Sequence, residues 1–291
     1  MAGVKELRQR IKSVGNIKQI TRAMEMVATT KLRRFQDRAV ASRPYADEIA
    51  GLVGRLAAVL GDDLADRPLF KNGEGDKTLV LVVSSDRGLC GAYNANLFRM
   101  LEKWRRDNAD KDARYFVYGK KAMQYMETRG FQIESFLTEP RLEAIDFANA
   151  AHTARMLQQE FLSGEYDSVW VMSTRFESMT RYEPQIAQFL PVEAASLGAD
   201  DDGSEPADVL LEPDASTIFD HLVPRYLETR IYNALIEALT SEYASRRFAM
   251  KNATDAATDM QAELKGIYNR KRQENITKEL LDIVGGAEAV K

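Results

Sequence analysis

Both ends of this chain carry an apolar stripe at helical spacing, and each stripe is too long for a compact domain to cover. At the N-terminus Val4, Leu7, Ile11 and Val14 recur at steps of three and four. Ile17, Ile20, Met24 and Val27 continue the series after one shortened step, which reads as a single skip in a coiled-coil register. The spacing resumes beyond Pro44 at Ile49, Val53, Leu56 and Leu60. One helix over 1–60 is expected, with room for a bend at Arg43–Pro44. The second helix is expected over 215–291, capped by Ser216 or Thr217, with Pro224 in an early turn. On it Ile231, Leu235 and Leu239 share a face, and Ala253, Ala256, Met260, Leu264 and Ile267 carry the stripe onward. About 70 helical residues at about 1.5 Å each would run roughly 100 Å, about three times the width of a domain built from the middle of the chain. An apolar stripe needs cover, and the chain supplies two of them. The expectation is that the two helices pair antiparallel and reach well past the globular part.

The middle region, 77–192, reads as an α/β head behind the turn-rich stretch Lys71–Asp76. Thr78–Ser84 is almost wholly apolar, the mark of a strand buried on both faces of a parallel sheet. Asn94 to about Asn108 reads as a helix, Arg114–Tyr118 as a strand, Lys120–Arg129 as a helix and Phe147 to about Gly164 as another. Ser168–Met172 and Gln185–Val192 are further strands. The fold class is thus α/β with long helices: an antiparallel coiled coil of the terminal helices plus a small Rossmann-like open α/β domain. Residues 193–214 hold Asp200, Asp201, Asp202, Glu205, Asp208, Glu212 and Asp214 with no basic residue, and read as an acidic linker.

Charge is polarised along the chain although 40 Lys+Arg nearly balance 44 Asp+Glu. Basic residues crowd 1–40, where Glu6, Glu25 and Asp37 alone oppose them. Cys90 is the only cysteine, so no internal disulfide can form and a reducing compartment is expected. No apolar run approaches the ~20 residues that span a bilayer. The basic start lacks an uncharged apolar core, and its helical pattern runs on past residue 30, so no cleaved leader is expected.

Chemical sites are sparse. Ser84–Asn94 lies between a strand and a helix and contains Gly88 and Gly91, as phosphate-binding loops do. It has neither the G-x-x-x-x-G-K-[ST] nor the G-x-G-x-x-G order, so a tight structural turn is favoured over a nucleotide site. His152 and His221 lie far apart and lack clustered Cys or carboxylates, which argues against a metal site or a His-based triad. Cys90 reads as a small packed residue. Residues 200–202 lack the EF-hand spacing. Lys31–Arg34 and Arg270–Arg272 sit on helices with an apolar seam and few aromatics, so they read as charged outer faces or a contact for an acidic protein, not as a nucleic-acid site. No cofactor is expected.

Four motifs in order carry a family resemblance. Lys5–Val14 with Ile20–Ala28 and Lys31–Arg33 resembles the start of ATP synthase γ subunits, and Ser85–Asn94 resembles their internal motif. Ser245–Asp255 and Tyr268–Ala287 resemble their C-terminal signature. The resemblance implies a non-catalytic rotor in an F-type, proton-translocating bacterial complex. It implies a shaft within a hexamer of α and β subunits, an ε subunit as partner and a foot on the membrane c-ring. The chain would then be peripheral on the cytoplasmic face of the inner membrane. By resemblance Met24 faces the acidic lever of a β subunit, Arg246 and Gln273 form a catch with the same subunits, and Leu211 and Glu212 lie at the foot. Leu280, Ile283 and Val284 belong to a tip held in the apolar sleeve of the hexamer. Val209 and Leu211 depart from the family pattern, where relatives often carry aromatics. The cysteine pair of chloroplast members is absent, which excludes their thiol switch in this chain. The rival reading is a nucleotide- or phosphate-binding α/β enzyme using the 84–94 loop.

Overall fold

A computed structural model of the chain describes residues 3–71, 73, 75–193, 197 and 212–288, with backbone alone for 285–288. The elements are α1 (Val4–Leu60), β1 (Lys77–Val83), α2 (Tyr93–Asp107), β2 (Asp112–Tyr118), α3 (Lys120–Thr128), β3 (Ile133–Leu137), α4 (Phe147–Leu162), β4 (Ser168–Phe176), β5 (Tyr182–Leu190) and α5 (Ala215–Glu288). The chain divides into two compact units: residues 1–29 with 246–291, and residues 30–245.

The larger unit holds a five-stranded sheet in the order β3-β2-β1-β4-β5. β1 is central and pairs in parallel with β2 (Val80 opposite Tyr115) and with β4 (Val80 opposite Trp170). Every residue of β1 after Lys77 is buried, as a strand covered on both faces requires. Leu97, Leu101 and Trp104 of α2, with Ala122 and Met126 of α3, pack on one face over Val80, Val82 and Val117.

Two features depart from expectation. β3 has no counterpart in the sequence pattern: Ile-Glu-Ser-Phe-Leu is short, half-buried and at the sheet edge, so it lacks the apolar run that marks β1. β5 runs antiparallel to β4, because only residues 177–181 separate the two strands and so short a link makes a hairpin, not a crossover. The cap of α5 also differs. Asp214, not Ser216 or Thr217, accepts the Thr217 amide at 2.8 Å and the Thr217 hydroxyl at 2.8 Å. α1 is helical through Pro44 and α5 through Pro224. In this unit α1 and α5 run side by side in opposite directions, through Phe35 on Tyr243 (ring centroids 5.4 Å apart) and Ser42 donating to Asn233 at 3.1 Å.

In the smaller unit α1 and α5 again meet head to tail. Thr254 donates its hydroxyl to Thr21 at 2.8 Å, and a side chain at Gly15 would meet Gln261. The buried line on α1 does not skip. It keeps the heptad without a break, through Leu7, Val14, half-buried Thr21 and Ala28, and leaves Ile17, Ile20 and Val27 more than half exposed. The C-terminal line shifts by one residue: Met250, Thr254 and Ala257 are buried, and Ala256, Met260 and Ile267 are exposed. Polarity alone finds Leu7 and Val14 but then puts the seam on the wrong residues. Small Thr and Ala side chains share it with Leu7, Val14 and Met250, and Ile17, Ile20, Met260 and Ile267 lie outside.

Candidate functional site

The loop after β1 is held by its own polar groups. Ser85 donates its hydroxyl to the Arg87 carbonyl at 2.8 Å and accepts from the Asn94 amide at 2.7 Å. The same Asn94 amide donates to Cys90 Sγ at 3.2 Å. The Ser84 hydroxyl accepts the Ala122 N–H at 2.8 Å, and Asp86 accepts the Lys120 N–H at 3.2 Å, so strand β1 and its loop cap helix α3. Leu89 and Gly91 take φ of 62° and 56°, which closes the turn. The loop then grips α5: Ser245 donates to the Cys90 carbonyl at 2.6 Å and Tyr93 to the Ala238 carbonyl at 3.2 Å. These groups bind the chain to itself, which is the work of a structural turn.

A polar cluster lies close by, and sequence reasoning misses it. Glu143, in the short 3-10 turn Leu142–Ala144, accepts hydrogen bonds from Lys31 of α1 and from the Tyr243 hydroxyl of α5. Lys31 also donates to Tyr243 at 3.2 Å. In sequence Lys31 reads as part of a charged outer face. Nothing local links it to a glutamate more than a hundred residues away. Burial by itself would raise the Glu143 carboxyl. Hydrogen bonds from Lys31 and Tyr243, with the positive charges of Lys31 and Arg87, more than offset that and hold it below its ordinary 4.5. A depressed carboxyl stabilises the fold above its unfolded value, and this contribution is lost as pH falls through the folded one. Glu143→Gln is therefore expected to flatten the loss of stability below about pH 4.5 while costing about 1 kcal/mol at pH 7, since the pair is partly solvated. Urea melts of both proteins across pH 3–7 check this, and parallel acid slopes would refute it.

A groove of about 280 Å³ opens between the β4–β5 face and α5, lined by Arg175, Gln185, Arg230, Asn233 and Glu237 among others. Burial raises the Glu237 carboxyl there, against the charges of Arg175 and Arg43 and a hydrogen bond from the Phe176 amide. His152 and His221 are both exposed, and the described residues contain no cluster of His, Cys, Asp and Glu able to hold a metal.

The described residues singled out by resemblance are divided between the two units, Glu212 in the larger and the rest in the smaller. Met24 is half-buried and Gln273 is exposed. Thr21 lies level with Thr254, so Gln273 sits roughly 30 Å further along α5 at about 1.5 Å per residue. Arg246 is only 7% exposed. Leu280, Ile283 and Val284 are all more than half exposed. Glu212 is exposed at a bend before α5. Leu211, Val209 and nearly all of the acidic linker lie outside the described residues.

These features define a class: a long-helix protein, in which two chain-terminal helices meet antiparallel and one of them is bound to an open α/β sheet through a self-satisfied turn. A family model described as ATP synthase matches residues 3–290. The chain is 38% identical to the ATP synthase gamma chain of Azoarcus, over the full length of both. It is 39% identical to that of Mycobacterium marinum, over 99% of this chain and 98% of the relative. Among solved structures, a chain of the Euglena gracilis mitochondrial ATP synthase (OSCP/F1/c-ring, rotational state 3) matches in fold with a TM-score of 0.67 at 20% identity, covering 99% of this chain and 94% of that one. A chain of the Tetrahymena thermophila mitochondrial ATP synthase central stalk and c-ring matches with a TM-score of 0.59 at 23% identity, over 80% and 99%. This chain belongs to the ATP synthase gamma chain family. Among its described residues no helix is long and apolar enough to cross a membrane.

Proposed function

We propose that the chain is the central-stalk rotor of a bacterial F-type ATP synthase and turns inside a hexamer of α and β subunits, carrying rotation of a c-ring to the catalytic β sites. It makes no bond in the reaction itself. One observation carries the reading. Beyond Lys271 every described side chain of α5 is exposed, and Ile276, Leu280, Leu281, Ile283 and Val284 are among them. An apolar run with no cover from its own chain fits a site inside another protein. The unbroken heptad and the head-to-tail contacts support an antiparallel coiled coil as the shaft.

Leu280, Ile283 and Val284 would occupy an apolar sleeve, where non-directional contacts oppose rotation little. Met24 and Gln273 would meet β subunits at different heights. Arg246 would support that contact from below, since so little of it is exposed. Glu212, with Leu211, would form the foot on the c-ring. An ε subunit completes the partners, and the chain sits peripherally on the cytoplasmic face of the inner membrane. A single asymmetric shaft cannot match a threefold ring, so it offers each β subunit a different face. Each site is thereby biased towards a different conformation. Exposed charge pairs contribute only about 1 kcal/mol each, so the coupling is spread over many contacts.

Affinity capture of the tagged chain from bacterial membranes should bring down α and β subunits that hydrolyse ATP. Capture without them would end the reading. Met24→Lys places a cation beside an acidic lever and should lower proton pumping per ATP hydrolysed by about half, with the helical signal of the chain intact. Gln273→Ala should act in the same direction and more weakly. Unchanged pumping per ATP in inverted vesicles would remove both residues from the contact.

A further inference from the structure

The chain crosses between its two units only twice, at residues 29–30 and 245–246. Both crossings fall within helices, the first in α1 and the second in α5. The polar cluster stands at both crossings. Lys31 lies just inside the first, Tyr243 and Ser245 just inside the second, and all three are bonded into the larger unit.

Apolar packing holds a helix down but is non-directional. Leu32 and Phe35, both fully buried beside Lys31, could let α1 roll about its axis at little cost. Hydrogen bonds and ion pairs depend on angle, so they resist that roll. Glu143 binds α1 through Lys31 and α5 through Tyr243 with its two carboxylate oxygens. One carboxylate therefore fixes both helices about their axes. Its 3-10 turn is itself tied to α1 seven residues on, where Arg38 donates to the Ile145 carbonyl at 3.0 Å. On the far side Ser245 is bonded to the turn after β1 through the Cys90 carbonyl.

We infer that Lys31, Glu143, Tyr243 and Ser245 form a torsional clamp, which holds α1 and α5 against roll on the sheet-bearing unit. Glu143 is the positioning residue on which both helices depend. The inference rests on the rotor reading above, and it adds the point where the two long helices are gripped against twist.

The test uses the whole membrane-bound complex carrying Glu143→Gln. The amide keeps the shape of the side chain and removes its charge. The complex should assemble in normal amount and hydrolyse ATP at the normal rate, because hydrolysis needs little torque. ATP-driven proton pumping per ATP should fall at least threefold as the load on the rotor rises. Tyr243→Phe keeps the ring against Phe35, removes the hydroxyl's bonds to Glu143 and Lys31 but leaves the Lys31–Glu143 pair, and should give a smaller loss in the same direction. An unchanged pumping ratio in Glu143→Gln would overturn the clamp. So would a loss that merely tracks reduced assembly or thermal stability, since the residue would then act on folding alone. The foot reading is checked separately, by oxidative cross-linking of Glu212→Cys to a cysteine-bearing c-ring. Its failure would move the point where the ring attaches and leave the pumping ratio of Glu143→Gln a valid measure of the clamp.

Discussion

Gly119→Ala should destabilise the chain by about 3 kcal/mol or more, from the strained backbone and a steric clash together, and lower its melting temperature by roughly 6 °C or more. Gly119 joins β2 to α3 with φ of 99°. A Cβ there would stand 2.7 Å from the Ser84 carbonyl carbon and hydroxyl, and closer still to the carbonyl oxygen. These atoms end β1, the central strand, which is also tied down there by the Ser84 amide donating to the Tyr118 carbonyl at 2.8 Å. The neighbour cannot move aside without breaking the sheet. Gly130 is the control, with φ of 69° and nothing within 4 Å of an added methyl. Gly130→Ala should cost only the backbone strain, about 1 kcal/mol. Thermal melts of the two variants side by side decide the matter. Equal losses would mean that the close approach to Ser84 carries no weight.

That contact shows why some of the fold was legible in the sequence and some was not. β1 announced itself because both of its faces are covered, which demands an unbroken apolar run. The two terminal helices were visible through period alone. Their seam was legible only at Leu7 and Val14, because the residues that continue it, Thr21, Ala28, Thr254 and Ala257, are small or polar. A hydropathy reading moves to larger neighbours such as Ile17 and Met260, which face outward. β3 was hidden for the opposite reason. A half-covered edge strand needs no strong pattern of its own.

The functional residues divide in the same way. Ser85 and Asn94 stand nine positions apart within one motif, and their mutual bonding was within reach of sequence reasoning. Reading that motif as a structural turn needed only the absence of phosphate-binding spacing. Glu143 meets Lys31 and Tyr243 only because three distant segments converge, and no local pattern encodes such a meeting. The apolar tip was legible because an exposed stripe looks the same in sequence as a buried one. What sequence could not say was that α1 leaves it uncovered.

Removing the two arginines that flank Glu228 should cost more than removing the charge of Glu228 itself. Glu228 lies on α5 with its side chain 3% exposed. It receives Arg155 of α4 at 2.6 Å and Arg225 at 2.9 Å. Both guanidinium groups are half or more exposed, so water solvates them whether or not the carboxylate is present. The carboxylate has no such reserve. In Arg155→Met/Arg225→Met it would be left buried without a partner, an arrangement that costs about 3 kcal/mol or more. Glu228→Gln removes the charge and leaves two solvated arginines, so its cost should be near that of one hydrogen bond, about 1 kcal/mol. Chemical denaturation of wild type and both variants gives the comparison directly. If the two losses were equal, or the order reversed, burial of Glu228 would not govern the bond between α4 and α5. The same asymmetry bears on the rotor, because α5 is bound to the sheet-bearing unit at Glu228, at Ala238 and at Ser245 in turn. A helix that must carry twist is held at several points along its length by directional bonds, and the buried carboxylate among them is the one that can least tolerate the loss of its partners.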